Sequence, residues 1–202
     1  MRAGGIVLCG GKSSRMGTSK ALLPFGPETM LQRVVRVLTG VVAPIAVVAA
    51  IDQDLPLLPA DVVIARDERE GRGPLQGLSA GLKALPDGVE AAYITSCDVP
   101  LLVPGFVTQM LALADGYDIT LIEIDGFAHP LSAVYRRSVL PQVEELLAKD
   151  RLRPAFLFDL VRTRRVAPAE MSADPQLRTL RNLNTRDDYE RALADAGITG
   201  AN

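Results

Sequence analysis

Four short runs rich in Val, Ile and Ala, namely Ile6 to Cys9, Ile45 to Ala50, Val62 to Ala65 and Ala92 to Ser96, are each closed by Gly or Asp. They read as strands buried on both faces. Between and after them the apolar spacing changes to the helical period: Leu31, Val34, Val35 and Leu38 form one stripe, Leu75, Leu78, Leu82 and Leu85 a second, and Val107, Met110, Leu111 and Ala114 a third. Strand and helix thus alternate in βαβαβ order. Continuous apolar strands joined by connections of helical length imply a parallel sheet covered on both sides. The expected fold class is therefore α/β: a three-layer, Rossmann-like arrangement with a mostly parallel central sheet. After residue 115 the pattern loosens. Ile119 to Ile124 and Leu131 to Tyr135 flank Gly126 as a strand pair, Val139 to Ala148 reads as a helix, and Leu180 to Asn184 as a strand. Thr185 with Asp188 three residues on is a capping-box start for a helix reaching Ala196.

Composition narrows the function classes. At 202 residues, 48% apolar and 23% charged, the chain 1–202 suits one globular domain. Its longest apolar run, Val41 to Ile51, has 11 residues and contains Pro44, whereas a bilayer span needs roughly 20. No membrane span is expected. Eight residues separate Arg2 from the Gly11-Lys12 pair, without a small-residue cleavage site after them, so export is not expected either. Two cysteines, Cys9 and Cys97, make no disulfide scaffold and point to the cytosol. With a single histidine, His129, a Cys/His zinc site has too few ligands. Without Trp, and with a pI near 5.5, the chain lacks the basic footprint and stacking platforms of a nucleic-acid binder. Charge is uneven: residues 1–135 hold 10 basic and 14 acidic side chains, residues 136–202 hold 12 and 10. The mildly basic C-terminal third fits a solvated surface or an anionic ligand on that side.

The stretch Leu8-Cys9-Gly10-Gly11-Lys12-Ser13-Ser14-Arg15-Met16-Gly17-Thr18-Ser19-Lys20 begins where the first strand ends. A glycine-rich segment at that place can turn backbone N–H groups towards phosphates. It is not a Walker loop, because the required Gly five residues before Gly11 is Ile6. Nor does it contain the G-x-G-x-x-G spacing of dinucleotide binders. What remains is a segment with Lys12, Arg15 and Lys20 and no acid among them. That suits a polyanion.

A second constellation is Tyr93-Ile94-Thr95-Ser96-Cys97-Asp98-Val99-Pro100, an apolar strand ending in a lone aspartate. Ligands in open α/β sheets lie beyond the carboxyl ends of the strands. Asp98 there suits Mg2+ held against a triphosphate, since Mg2+ takes few protein carboxylates; the plain alternative is a turn or cap residue before Pro100. Asn182 and Asn184, two apart on the expected strand, would share a face and meet a ligand together, or else serve a turn before Thr185. His129 before Pro130 is either a structural hydrogen-bonding residue or a ligand contact. Cys9 and Cys97 end strands expected to be neighbours and read as nearby free thiols used in packing.

These residues resemble the molybdenum cofactor guanylyltransferases, part of a wider group of nucleotidyltransferases with a Gly-Gly-rich opening loop. Leu8-Cys9-Gly10-Gly11 with Ser14-Arg15-Met16-Gly17 and Lys20 resembles the first block, and Gly73-Pro74-Leu75-Gln76-Gly77 the second. Cys97-Asp98-Val99-Pro100, His129-Pro130 and Asn182-Leu183-Asn184-Thr185 follow in the family's order. Two positions depart: Ser19 stands where the family usually has Asp before the lysine, and the second strand is not followed by Asn. The resemblance implies a nucleotidyltransferase fold with a nucleotide-binding half, 1–115, and an acceptor-binding half, 116–202. It implies that Leu8, Cys9, Gly10 and Gly11 approach GTP, with Gly73 and Gly77 in the second nucleotide block. Arg15 and Lys20 would meet the phosphates, Asp67 the guanosine, and Asp98 both GTP and Mg2+. Asn182 and Asn184 would lie near the acceptor. The catalytic set is then Arg15, Lys20 and Asp98, and the reaction is transfer of GMP from GTP to the phosphate of molybdopterin or Mo-molybdopterin. Neither nucleic acid nor membrane is an expected partner, and proteins of molybdoenzyme maturation are expected as transient contacts. The rival readings are a CTP-dependent relative and a non-catalytic nucleotide-binding partner in that maturation.

Overall fold

A computed structural model describes residues 1–9, 19–67 and 71–198. Its centre is β1 (Ala3–Leu8), flanked in parallel by β4 (Ile45–Ala50) and β6 (Ala91–Ser96). β5 (Val63–Asp67) continues the parallel side beyond β4, while β8 (Phe127–Arg136), β7 (Ile119–Ile124) and β9 (Thr163–Val166) extend the other side. The order of the seven-stranded sheet is β5-β4-β1-β6-β8-β7-β9. β8 runs antiparallel to both β6 and β7, and β9 is parallel to β7. The sheet is thus mostly parallel, as its apolar runs imply, and residues from both halves of the chain build it. A separate two-residue ribbon, β2 (Pro24–Phe25) with β3 (Glu28–Thr29), precedes the first long helix.

The strands alternate between two apolar layers. Val7, Val47, Ala49 and Tyr93 face α1 (Met30–Thr39) and α3 (Pro104–Ala112), which bring Leu31, Val34, Leu38, Phe106 and Met110. Ile6, Leu8, Val48 and Ile94 face α2 (Gly73–Ala84), α4 (Leu140–Ala148) and α5 (Ala155–Phe158). Burial on both faces is why these strands carry no period of two. Gly81 lets α2 approach β1, since a Cβ there would stand 2.6 Å from Ile6 Cγ2. The last helix, α6 (Arg186–Asp195), begins at the expected Thr185–Asp188 capping box and joins Phe25, Met30, Leu101 and Leu183 in a third cluster. No helix of the described residues is long and apolar enough to cross a membrane.

One expected strand is absent. Leu180 to Asn184 is a single 3-10 turn, Arg178–Leu180, followed by irregular chain. The segment is tied down by single contacts and not by a ladder: the Leu183 N–H donates to the Asp98 carbonyl at 2.9 Å, and just before it the Thr179 side-chain Oγ1 accepts from the Val103 N–H at 3.1 Å. The place beside β7 is taken instead by β9, whose sequence Thr-Arg-Arg-Val shows too little apolar character to announce a strand. The strand expected at Leu131 to Tyr135 begins earlier, at Phe127. The turn before it has Asp125 and Gly126 at φ of 50° and 80°, the positive pair of a two-residue hairpin.

Candidate functional site

The carboxyl ends of β1 and β6 lie side by side because Leu8 pairs with Ser96. Cys97 continues the pairing by donating its N–H to the Leu8 carbonyl at 3.0 Å, and Asp98 follows. From the other direction Ser19 opens a 3-10 turn over Lys20–Leu22, in which the Leu22 N–H donates to the Ser19 carbonyl at 2.9 Å. This turn sets Lys20 over the end of β6. Its ammonium donates to Asp98 Oδ2 at 2.9 Å and to Asn184 Oδ1 at 2.9 Å. Ser96 Oγ donates to the other carboxylate oxygen, Oδ1. Lys20 and Asp98 are 18% and 16% exposed, sheltered enough to strengthen their attraction yet open to a ligand.

Asn184 and Asn182 do not share the face of a strand. Asn184 reaches the lysine while Asn182 is exposed two residues away, because the backbone hook from Leu183 to Asp98 brings irregular chain to the site. Leu8 turns its side chain into the core beneath α2, where it fills the space beside Gly77: a Cβ on Gly77 would stand 3.0 Å from Leu8 Cδ2. The two residues therefore pack directly against each other. Gly73 opens α2 with φ of +73°, which favours glycine. Asp67 ends β5 opposite Ala50. Three strand spacings of about 4.8 Å separate β5 from β6, so the ends of these two strands stand roughly 14 Å apart. Gly10, Gly11 and Arg15 lie outside the described residues, as do Lys12 and residues 68–70.

Cys9 and Cys97 are buried free thiols. The Cys9 thiol is held well above its usual range, first by its hydrogen bond with Cys97 and then by burial, which suits a thiol used in packing. His129 lies half-buried in β8, and burial lowers its pKa. The basic C-terminal third is largely ion-paired, in part with carboxylates of the preceding strand and its flank: Arg162 with Asp118, Arg164 with Glu170, Arg165 with Glu123 and Arg181 with Asp195. Its charge belongs mainly to a solvated, paired surface.

Two contacts join the site beyond the residues singled out from the sequence. Ser96 stands two residues before Asp98, and its hydroxyl could have been suspected from that spacing. Gln53 gives no such signal: its Nε2 donates to the Cys9 carbonyl at 3.1 Å, across 44 positions.

A mostly parallel sheet whose central strands end in a cation–carboxylate pair is an arrangement suited to nucleotidyl transfer. The sequence model of the MobA-like NTP transferase domain matches residues 5–164. A probable molybdenum cofactor guanylyltransferase of Mycobacterium avium (strain 104) is 37% identical over 200 residues, covering 97% of each chain. One of Carboxydothermus hydrogenoformans is 34% identical over 189 residues, covering 93% of each. The crystal structure of molybdopterin-guanine dinucleotide biosynthesis protein A from Archaeoglobus fulgidus has a similar fold, with a TM-score of 0.78 at 18% identity over 98% of this chain and 100% of that one. The chain belongs to the MobA-like NTP transferases and, within them, to the molybdenum cofactor guanylyltransferase family.

Proposed function

We propose that the protein transfers GMP from GTP to the phosphate of molybdopterin or Mo-molybdopterin in the cytoplasm, with Mg2+ as cofactor, releasing pyrophosphate. The observation that carries this reading is the meeting of Lys20, Asp98 and Asn184 at one end of β6. An acceptor phosphate oxygen is already ionised, so attack on the α-phosphorus requires no general base. The protein must align two anions that repel each other and place positive charge where the leaving pyrophosphate gathers negative charge. Lys20 supplies such a charge, and Asp98 and Asn184 hold its ammonium in place. Arg15 is assigned to the same task, and Asn182 and Asn184 to the acceptor side. Asp67, some three strands away, suits the guanosine end of a nucleotide laid across the strand ends between residues of the half 1–115, with Gly73 along its length; Gly10 and Gly11 are assigned to the same nucleotide. Residues 116–202 then furnish the acceptor half.

The donor set is consistent with Mg2+. Among the described residues no group of three or more His, Cys, Asp or Glu could hold a metal ion, and a single carboxylate suits an ion that fills its shell with phosphate oxygens and water. Asp98 would hold it, and when bound it supplies charge that neutralises the triphosphate oxygens.

The test is pyrophosphate release measured with each of the four nucleoside triphosphates and molybdopterin. GTP should be preferred over CTP by about tenfold to a hundredfold, the scale of one bidentate contact to a base edge. A preference for CTP selects the cytidylyl reading, and no release with any nucleotide selects the non-catalytic one. In Asp67→Ala an equal loss for GTP and CTP would move Asp67 from the base to the ribose.

A further inference from the structure

The amide of Gln53 is placed where two separate parts of the phosphate end converge. Its Nε2 donates to the Cys9 carbonyl at 3.1 Å and to Ser19 Oγ at 3.3 Å, and its Oε1 accepts from the Ala50 N–H at 3.2 Å. The orientation of this amide is unambiguous, because a backbone carbonyl can only accept and a backbone N–H can only donate. Its backbone is held as well. Arg66 Nη1 donates to the carbonyls of Ala50 and Gln53, both at 2.8 Å, tying the residue to β5. Cys9 is the first residue beyond β1 and Ser19 the residue before Lys20, so one side chain braces both flanks of the glycine-rich stretch.

We infer that Gln53 is a positioning residue: through Cys9 and Ser19 it sets where Lys20 stands over Asp98, and so governs affinity for the triphosphate and not the choice of base. The inference rests on the reading that Lys20 meets the phosphates of GTP. Loss of both donated hydrogen bonds lets the 3-10 turn drift from the end of β1, while the Asp67 end of the site, anchored on β5, stays as it is. A group that contacted guanine directly would show the opposite pattern.

The experiment is direct binding of GTP, CTP and guanosine to the full chain, by competition against a fluorescent GTP analogue, for the wild type, Gln53→Ala and Gln53→Glu. Gln53→Ala should weaken GTP about tenfold, the scale of losing two hydrogen bonds of ordinary strength. Guanosine affinity and the GTP-to-CTP ratio should stay within about twofold. Gln53→Glu should lose as much as Gln53→Ala, since a carboxylate cannot donate to the Cys9 carbonyl. Adding Ser19→Ala to Gln53→Ala should weaken GTP little further, because both remove the same contact. Wild-type GTP affinity in both single variants would overturn the inference, as would equal losses for GTP and guanosine or a collapse of the GTP-to-CTP ratio. Thermal midpoints and circular dichroism show that each variant folds. If Gln53→Ala does not, Gln53→Glu, of nearly the same size, carries the test. Turnover is not needed for this readout: a wild type that binds GTP but releases no pyrophosphate would refute the proposed reaction while leaving the role of Gln53 to be decided by binding.

Discussion

The Lys20 ammonium lies 2.9 Å from the Asp98 carboxylate, a contact between residues 78 positions apart in the chain. Both are largely sheltered, and the Asn184 amide oxygen meets the same ammonium. Lys20→Ala would keep the turn Lys20–Leu22, since its backbone bonds do not involve the side chain, but would remove the cation from the end of β6. We expect kcat/KM to fall by about 2 to 4 kcal/mol, roughly thirtyfold to a thousandfold, as for one preorganised electrostatic contact. Steady-state pyrophosphate release at limiting GTP measures this. A rate within twofold of wild type would remove Lys20 from the mechanism.

Asp98→Asn keeps the size of the side chain, and its amide oxygen can still accept from Lys20 or Ser96. What it loses is charge. If Asp98 holds the metal, activity should drop and the Mg2+ concentration giving half-maximal rate should rise at least severalfold. A role confined to capping or turning the chain predicts near-normal behaviour, because Asn serves as well as Asp at such positions. Titrating activity against Mg2+ in both proteins decides between them.

Gly81 sits in α2 against β1. Replacing it with Ala would favour the helix by about 0.5 to 1 kcal/mol. The new Cβ, however, would stand 2.6 Å from Ile6 Cγ2 and 2.9 Å from Ile6 Cδ1, both fully buried. Overpacking of that kind costs about 1 to 3 kcal/mol, so the clash should win. The expected result for Gly81→Ala is a thermal midpoint lowered by a few degrees; an increase would show that Ile6 has room to turn away.

The burial of His129 sets a pH dependence. Because burial lowers its pKa, the folded chain takes up the proton less readily than the unfolded chain, whose histidine titrates near 6.5. This contribution to stability is full above about pH 6.5 and is lost as pH falls through that value towards the lower folded one. Thermal midpoints at about pH 7.5 and 5.5 should therefore drop more in wild type than in His129→Gln, carboxylate effects being common to both. Equal drops would show that the imidazole is solvated in the folded chain.

The three-layer fold was legible in the sequence because burial on both faces leaves a local mark. Continuous apolar strands such as Ile45–Ala50, and stripes such as Leu31, Val34, Val35 and Leu38, carry their periods within a few residues. The Thr185–Asp188 cap is local too, and the helix begins there. The candidate site was legible only as separate pieces: Lys20 from a cluster of cations without acids, Asp98 from its place at the end of an apolar strand. Which pieces meet is a tertiary matter. Asn184 reaches Lys20 because the Leu183 N–H donates to the Asp98 carbonyl, and β9 takes the sheet edge despite its two arginines because β7 offers it a parallel ladder. Gln53 was silent for the same reason, since its hydrogen bonds to Cys9 and Ser19 span 44 and 34 positions. Hydrophobic period and capping are written in neighbouring residues; a hydrogen bond between distant segments exists only once the packed sheet has brought their ends together.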